Sequence, residues 1–134
     1  MLDVRIAVRY FVRMKLGEWR GGRAARTIFW AVAAFSFVMA VVPQPPEVPG
    51  EPSDKVQHIA AFATLALLGA FAYPRVALLR LLTGLSMFGA FIELVQAIPM
   101  LHRDSELLDW LADTAAVSVV LLFVRWWRKS RTSA

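Results

Sequence analysis

The chain contains no cysteine. That excludes disulfides and thiolate metal sites, and it leaves the redox compartment unread. It also has no recognisable nucleophile motif, no spaced set of metal ligands, no internal repeat and no low-complexity tract beyond one proline-rich stretch. Acidic residues are scarce at 10, against 15 lysines and arginines, giving a formal net charge of +5. What the sequence has in excess is apolar surface: 58% of its 134 residues are hydrophobic. Soluble domains run at about 45–50%, and a globule this small has too much surface to hide the surplus. Lipid can solvate it instead.

Four apolar segments account for the excess, expected at about 27–42, 56–73, 76–98 and 107–124. Proline punctuates them. Pro43, Pro45, Pro46, Pro49 and Pro52 follow the first, Pro74 closes the second and Pro99 the third. Proline removes a backbone donor and clashes with the preceding turn, so each cluster ends a helix. Ser53 is a suitable N-cap for the second segment, and Asp54 then lies in its first turn, where its charge complements the helix dipole. Trp126 and Trp127, followed by basic residues, mark a membrane interface after the fourth. Trp110, Trp19 and Trp30 are expected to anchor at interfaces as well. The expected fold is all-α, an integral membrane four-helix bundle preceded by an amphipathic segment.

That leading segment spans 1–26. Arg5, Arg9 and Arg13 recur every four residues and form one stripe on a helix, which fits an interfacial helix lying on the membrane. Val4, Ile6, Val8, Tyr10 and Val12 also alternate as a strand would. A basic leader before an apolar run has a second reading, as a cleaved signal peptide. Against it stand the long apolar core and the membranous remainder. The bundle proper is expected over 27–125, with 126–134 as a basic tail.

Charge sets the expected orientation. Four spans put both termini on one side, and that side collects 13 of the 15 basic residues; only Lys55 and Arg103 lie opposite. The positive-inside rule then places the termini in the cytoplasm. Basic groups flanking apolar runs point to lipid headgroups, not nucleic acid, as their partner.

Eight polar residues lie within or beside the apolar segments: Asp54, Lys55, His58, Glu93, Gln96, Arg103, Asp109 and Asp113. An ionisable group there costs several kcal/mol, on the order of 2–3 or more, unless paired or hydrated. Asp54, Lys55 and His58 open the second segment, Glu93 and Gln96 close the third, and Asp109 and Asp113 open the fourth. All three sets therefore come to one depth, in the outer leaflet. Asp54 with His58, Asp109 with Asp113, and Glu93 with Gln96 each share a helix face. Polar faces at one depth are expected to turn toward one another. Plainer readings exist for each: a helix-start acid at Asp54, hydrated interface groups at Asp109 and Arg103, and helix cement at Glu93 and Gln96. His58 is expected to contact one of the three acids, and Arg103 to turn inward to them. Three carboxyls at that depth are expected to share a proton or hold a cation.

These residues resemble a known pattern. Ser53-Asp54-Lys55-Val56-Gln57-His58, then Glu93-Leu94-Val95-Gln96, then Arg103 followed by Leu108-Asp109-Trp110-Leu111-Ala112-Asp113 resemble the VanZ-like family of bacterial membrane proteins. That family reads Asp-Lys-x-x-His, a later Glu-x-x-Gln, and Arg followed by Asp with Asn or Asp four residues on. The resemblance covers roughly residues 28–124. Asp113 stands where many members have Asn, and Val117-Ser118 where a glycine-rich patch is common. The resemblance implies a multi-pass protein of the bacterial cytoplasmic membrane. The founding member is associated with low-level teicoplanin resistance, and the family name supplies no reaction.

Three functions remain open at this level. One is binding of membrane lipid, a lipid-linked cell-wall precursor or an anionic lipid, with Lys55, His58 and Arg103 on a phosphate or carboxylate and the acids on amide or sugar groups or a bridging cation. The second is a membrane-embedded hydrolase or transferase acting on a lipid headgroup, with His58 and a carboxylate as acid and base. The third is a buried ion network that only fixes the bundle. No cofactor is named by the sequence.

Overall fold

The computed structural model describes residues 21–42, 54–101 and 105–132. The described residues form four α-helices: α1 (Arg23–Val41), α2 (Asp54–Ala72), α3 (Leu78–Gln96) and α4 (Leu107–Thr132), with a short 3₁₀ turn at Pro99–Leu101 before α4. All four are long and apolar enough to cross a membrane. The protein is a multi-pass, all-α membrane bundle. The interfacial segment expected before Gly21, the proline-rich loop, and the loop residues His102, Arg103 and Asp104 lie outside the described residues.

Helix lengths follow from the stop signals. The first three helices have 19 residues each, about 28 Å at the α-helical rise, which matches a hydrocarbon core of about 30 Å. The fourth differs from expectation. It does not stop near Val124 but runs for 26 residues to Thr132, about 39 Å. Trp126, Trp127 and the basic residues expected in a tail are thus turns of α4. They mark an interface, but none of them breaks a helix. At the other end of the sequence α1 starts at Arg23: Ala24 and Ala25, good helix formers, extend the short first segment inward.

The core is built from small and medium side chains. Phe29 and Ala33 of α1, Phe62, Leu65 and Ala66 of α2, Leu85 and Ile92 of α3, and Val117 and Leu121 of α4 are buried. Alanines at the contacts let helix backbones approach closely, which is how membrane helices gain packing energy without a hydrophobic driving force. Trp30, Leu79, Met87, Leu94, Val119 and Leu122 face outward and are exposed, as suits a surface solvated by lipid. α2 packs against α1, α3 and α4, and its most extensive partner is α4.

The basic end of the bundle is tied together at the α2–α3 turn. Gly21 adopts φ 74°, its N–H donates to Phe71 O at 3.1 Å, and a Cβ there would meet Pro74 Cδ at 3.1 Å. Glycine is the residue that accepts both the positive φ and the close approach. Trp30 Nε1 donates to the Tyr73 hydroxyl at 2.8 Å, Arg26 stacks over the Tyr73 ring at 5.5 Å, and an Arg128 guanidinium N–H donates to Ala70 O at 2.7 Å.

Trp110 is not an interface anchor. Its indole turns into the bundle, where Nε1 donates to Ser86 O at 3.0 Å and lies 3.2 Å from Ser86 Oγ. Gly89 makes the room: a Cβ there would sit 3.3 Å from Phe62 Cζ and 3.4 Å from Trp110 Cδ1. Gly89→Leu should therefore cost about 1–3 kcal/mol by overpacking, read as a lower melting temperature in detergent. Gly84→Leu is the matched control, since nothing lies within 4 Å of a Cβ there. Equal tolerance of both changes would show that the Trp110–Gly89 contact is not formed.

Candidate functional site

At the end of the bundle opposite the arginines, α2 and α4 lie side by side and run in the same direction. Their first turns form a two-rung ladder. On the outer rung Lys55 Nζ lies 3.1 Å from Asp109 Oδ1 and 3.5 Å from Glu106 Oε2. One turn deeper, His58 Nδ1 lies 3.2 Å from Asp113 Oδ2. The spacings on the two helices, three residues on α2 and four on α4, return each pair to the shared interface.

The two rungs differ in environment. Lys55 and Glu106 are about half exposed, whereas His58 and Asp113 are 8% and 1% exposed. The Lys55–Glu106 pair is screened and adds little stability, whereas Asp109 is only 14% exposed and largely shielded from water. The His58–Asp113 contact is buried, where loss of one partner is expensive. Asp113 Oδ1 is also buried and has no hydrogen-bond partner among the described residues.

Glu93 reaches the same centre from α3. Its Oε2 accepts from the Ser105 hydroxyl at 3.1 Å and from the Glu106 N–H at 3.0 Å. It thereby fixes the chain as it enters α4, and His58 and Asp109 lie within electrostatic range of its charge. Glu93→Gln keeps an acceptor for both donors and should fold as well as the parent. Glu93→Leu strands the Glu106 N–H and should cost about 1–3 kcal/mol. Hydrogen exchange at the Glu106 amide, together with thermal unfolding, checks this. Strong destabilisation by the glutamine would show that the charge, not the acceptor, holds the loop.

Gln96 departs from the expected cluster. It shares a face with Glu93, but its Nε2 donates to Ala40 O at 3.0 Å, at the end of α1. It ties α1 to α3 and leaves the ions to Glu93. Asp54 begins α2 as expected. The inward turn expected of Arg103 lies outside the described residues. Three participants were visible in the sequence only as loop or span residues: Ser105 and Glu106 at the Glu93 clamp, and Thr114, whose hydroxyl lies 3.0 Å from Ser86 Oγ.

Among the described residues no three of His, Asp and Glu are arranged to hold a metal ion. Beside the cluster, between α1 and α2, a groove of about 280 Å3 includes Ser36, Gln57 and His58 in its lining. His58 thus stands between the groove and Asp113.

Helices, membrane length and a buried polar centre define a multi-pass membrane protein with a charged cluster at one end of its bundle. No protein-family model, curated protein or solved structure matches the chain.

Proposed function

We propose that the protein binds a cell-envelope or lipid-linked ligand at this polar cluster, which faces outward from a bacterial cytoplasmic membrane while both termini lie in the cytoplasm. The observation that carries the reading is Asp113. A network built only to hold helices gains from having every buried acceptor satisfied. Among the described residues, Asp113 instead keeps one buried oxygen without a hydrogen bond while the other meets His58. The resemblance to the VanZ-like family supports a role at the cell envelope and links it to teicoplanin resistance.

The test is native mass spectrometry of gently solubilised protein. The parent should retain a bound envelope component, and folded Asp113→Asn and His58→Gln variants should lose it. Retention by both folded variants, or a parent with nothing bound, would overturn the reading.

The structural network is the second reading, and the Glu93 and Gln96 contacts favour it. Both tie helix ends together. They bear on the rim of the cluster; the His58–Asp113 centre carries the binding proposal. A membrane-embedded hydrolase acting on a lipid headgroup would need turnover of labelled phospholipid by the pure protein.

A further inference from the structure

The groove between α1 and α2 opens sideways. Phe35 and Met39 of α1 are 64% and 52% exposed along it, and Ile92 of α3 lines it from within. In a membrane-spanning bundle, an opening at this level meets lipid chains. Its apolar lining suits a chain, yet Ser36, Gln57 and His58 lie in the same groove.

Ser36 is the telling residue. Thr27, Thr64, Thr83 and Ser118 each donate to the carbonyl four residues earlier on their own helix, at 2.7–3.1 Å. No such bond, or any other, is found from the Ser36 hydroxyl among the described residues. A hydroxyl facing hydrocarbon without a partner is costly. Ser36 lies about 7 Å from the end of α1 at Val41, and His58 about 6 Å from the start of α2, at the helical rise. Both are below the level at which headgroups ordinarily rest. A polar group must be drawn in from the side to reach them.

Charge selects the kind of polar group. Lys55 is already engaged by Asp109 and Glu106, and His58 by Asp113. With Glu93 added, four carboxyls face one lysine and one histidine, so acid is in excess whichever form His58 takes. Such a field opposes a net anionic headgroup and favours one with an ammonium donor.

We infer that the groove is a lateral binding site for one outer-leaflet phospholipid with a primary ammonium headgroup. Its chain lies against Phe35, Met39 and Ile92, and its polar part reaches Ser36 and His58. The inference rests on the proposed ligand-binding role of the cluster and names the class of ligand and its route of entry.

The experiment places the full-length protein in nanodiscs of equal phosphatidylethanolamine and phosphatidylglycerol, and in a second set with phosphatidylcholine replacing the first lipid. Lipids that remain bound on release are identified by native mass spectrometry, with helicity and melting temperature recorded for every variant. Phosphatidylethanolamine should be retained about tenfold over both others, as for roughly one charge-assisted hydrogen bond. Ser36→Ala should lower retention about fivefold, the value of one ordinary hydrogen bond. Ala61→Trp fills the groove from α2 and should abolish retention; Ser36→Leu fills it from α1 should the first variant fail to fold. Equal retention of phosphatidylglycerol would overturn the headgroup assignment. Undiminished retention by a folded filled-groove variant would overturn the site. Loss in Asp113→Asn with retention in the filled-groove variants would keep the cluster as a binding centre and remove the groove. The opposite pattern would keep the groove and remove the cluster.

Discussion

Asp113→Leu is expected to prevent stable accumulation of the protein, and the double variant His58→Leu with Asp113→Leu to restore much of the loss. The contact between these residues is buried on both sides and joins α2 to α4, the most extensively packed pair in the bundle. Removing one member of a buried polar pair leaves the other without its partner in a low-dielectric setting, at a cost of about 3–5 kcal/mol. Replacing both with apolar groups of similar volume removes the stranded atom and is often nearly neutral. Asp113→Asn keeps an acceptor for a His58 N–H and should remain folded, with a loss of about 1 kcal/mol. Expression yield and thermal unfolding in detergent, analysed as a double-mutant cycle, give the answer. Additive effects of the two leucines would show that the pair is not formed. A double variant that folds yet retains no ligand would separate binding from stability at one site.

The helices were legible because two independent signals agreed on them. Hydropathy located four spans, and Pro43, Pro74 and Pro99 marked where three of them stop. The end of α4 was not legible, because aromatic and basic residues report an interface without reporting helix termination. Depth was readable as well. Counting from the starts of α2 and α4 and from the end of α3 placed His58, Glu93, Asp109 and Asp113 at one level, where His58 meets Asp113 and Glu93 meets the chain entering α4.

Pairing is a different matter, since it depends on the rotation of each helix about its axis. Residues three apart differ by about 60° in direction. That is enough for Glu93 to meet the chain entering α4 while Gln96 meets α1. Nothing in the sequence distinguished Asp113 from Asp109 as the partner of His58; the parallel packing of α2 against α4 decides it. Trp110 was misplaced for a related reason. The space for its indole is made by Gly89 on another helix, and no local pattern connects the two. Ser36 carried no signal at all, as a single serine in an apolar span becomes notable only when its neighbours across a groove are known.

Cysteines introduced at Glu47 and Ser105 are expected to label with a membrane-impermeant maleimide in intact cells, and one at Ser130 only after lysis. The chain has no cysteine of its own, so each variant reports one position. Arg23, Arg26, Arg75, Arg80, Arg125, Arg128 and Lys129 lie at the end of the bundle that holds the α2–α3 turn. Each basic group near an anionic cytoplasmic leaflet is worth about 1 kcal/mol, and basic residues close to span ends set orientation. Ser130 is exposed on the last turns of α4, on a helix about 39 Å long that outruns the hydrocarbon core by about 9 Å. It should therefore reach water on the cytoplasmic side. The Ser105 hydroxyl donates to Glu93, so a cysteine there weakens the clamp on the loop; Leu107→Cys, at an exposed position in the first turn of α4, serves as its control. Labelling of Ser130 alone in intact cells would invert the bundle, place the His58–Asp113 centre in the cytoplasmic leaflet, and remove outer-leaflet lipid as its ligand. Labelling of all three positions to the same extent would show both orientations in one membrane and overturn the orientation read from the charge asymmetry.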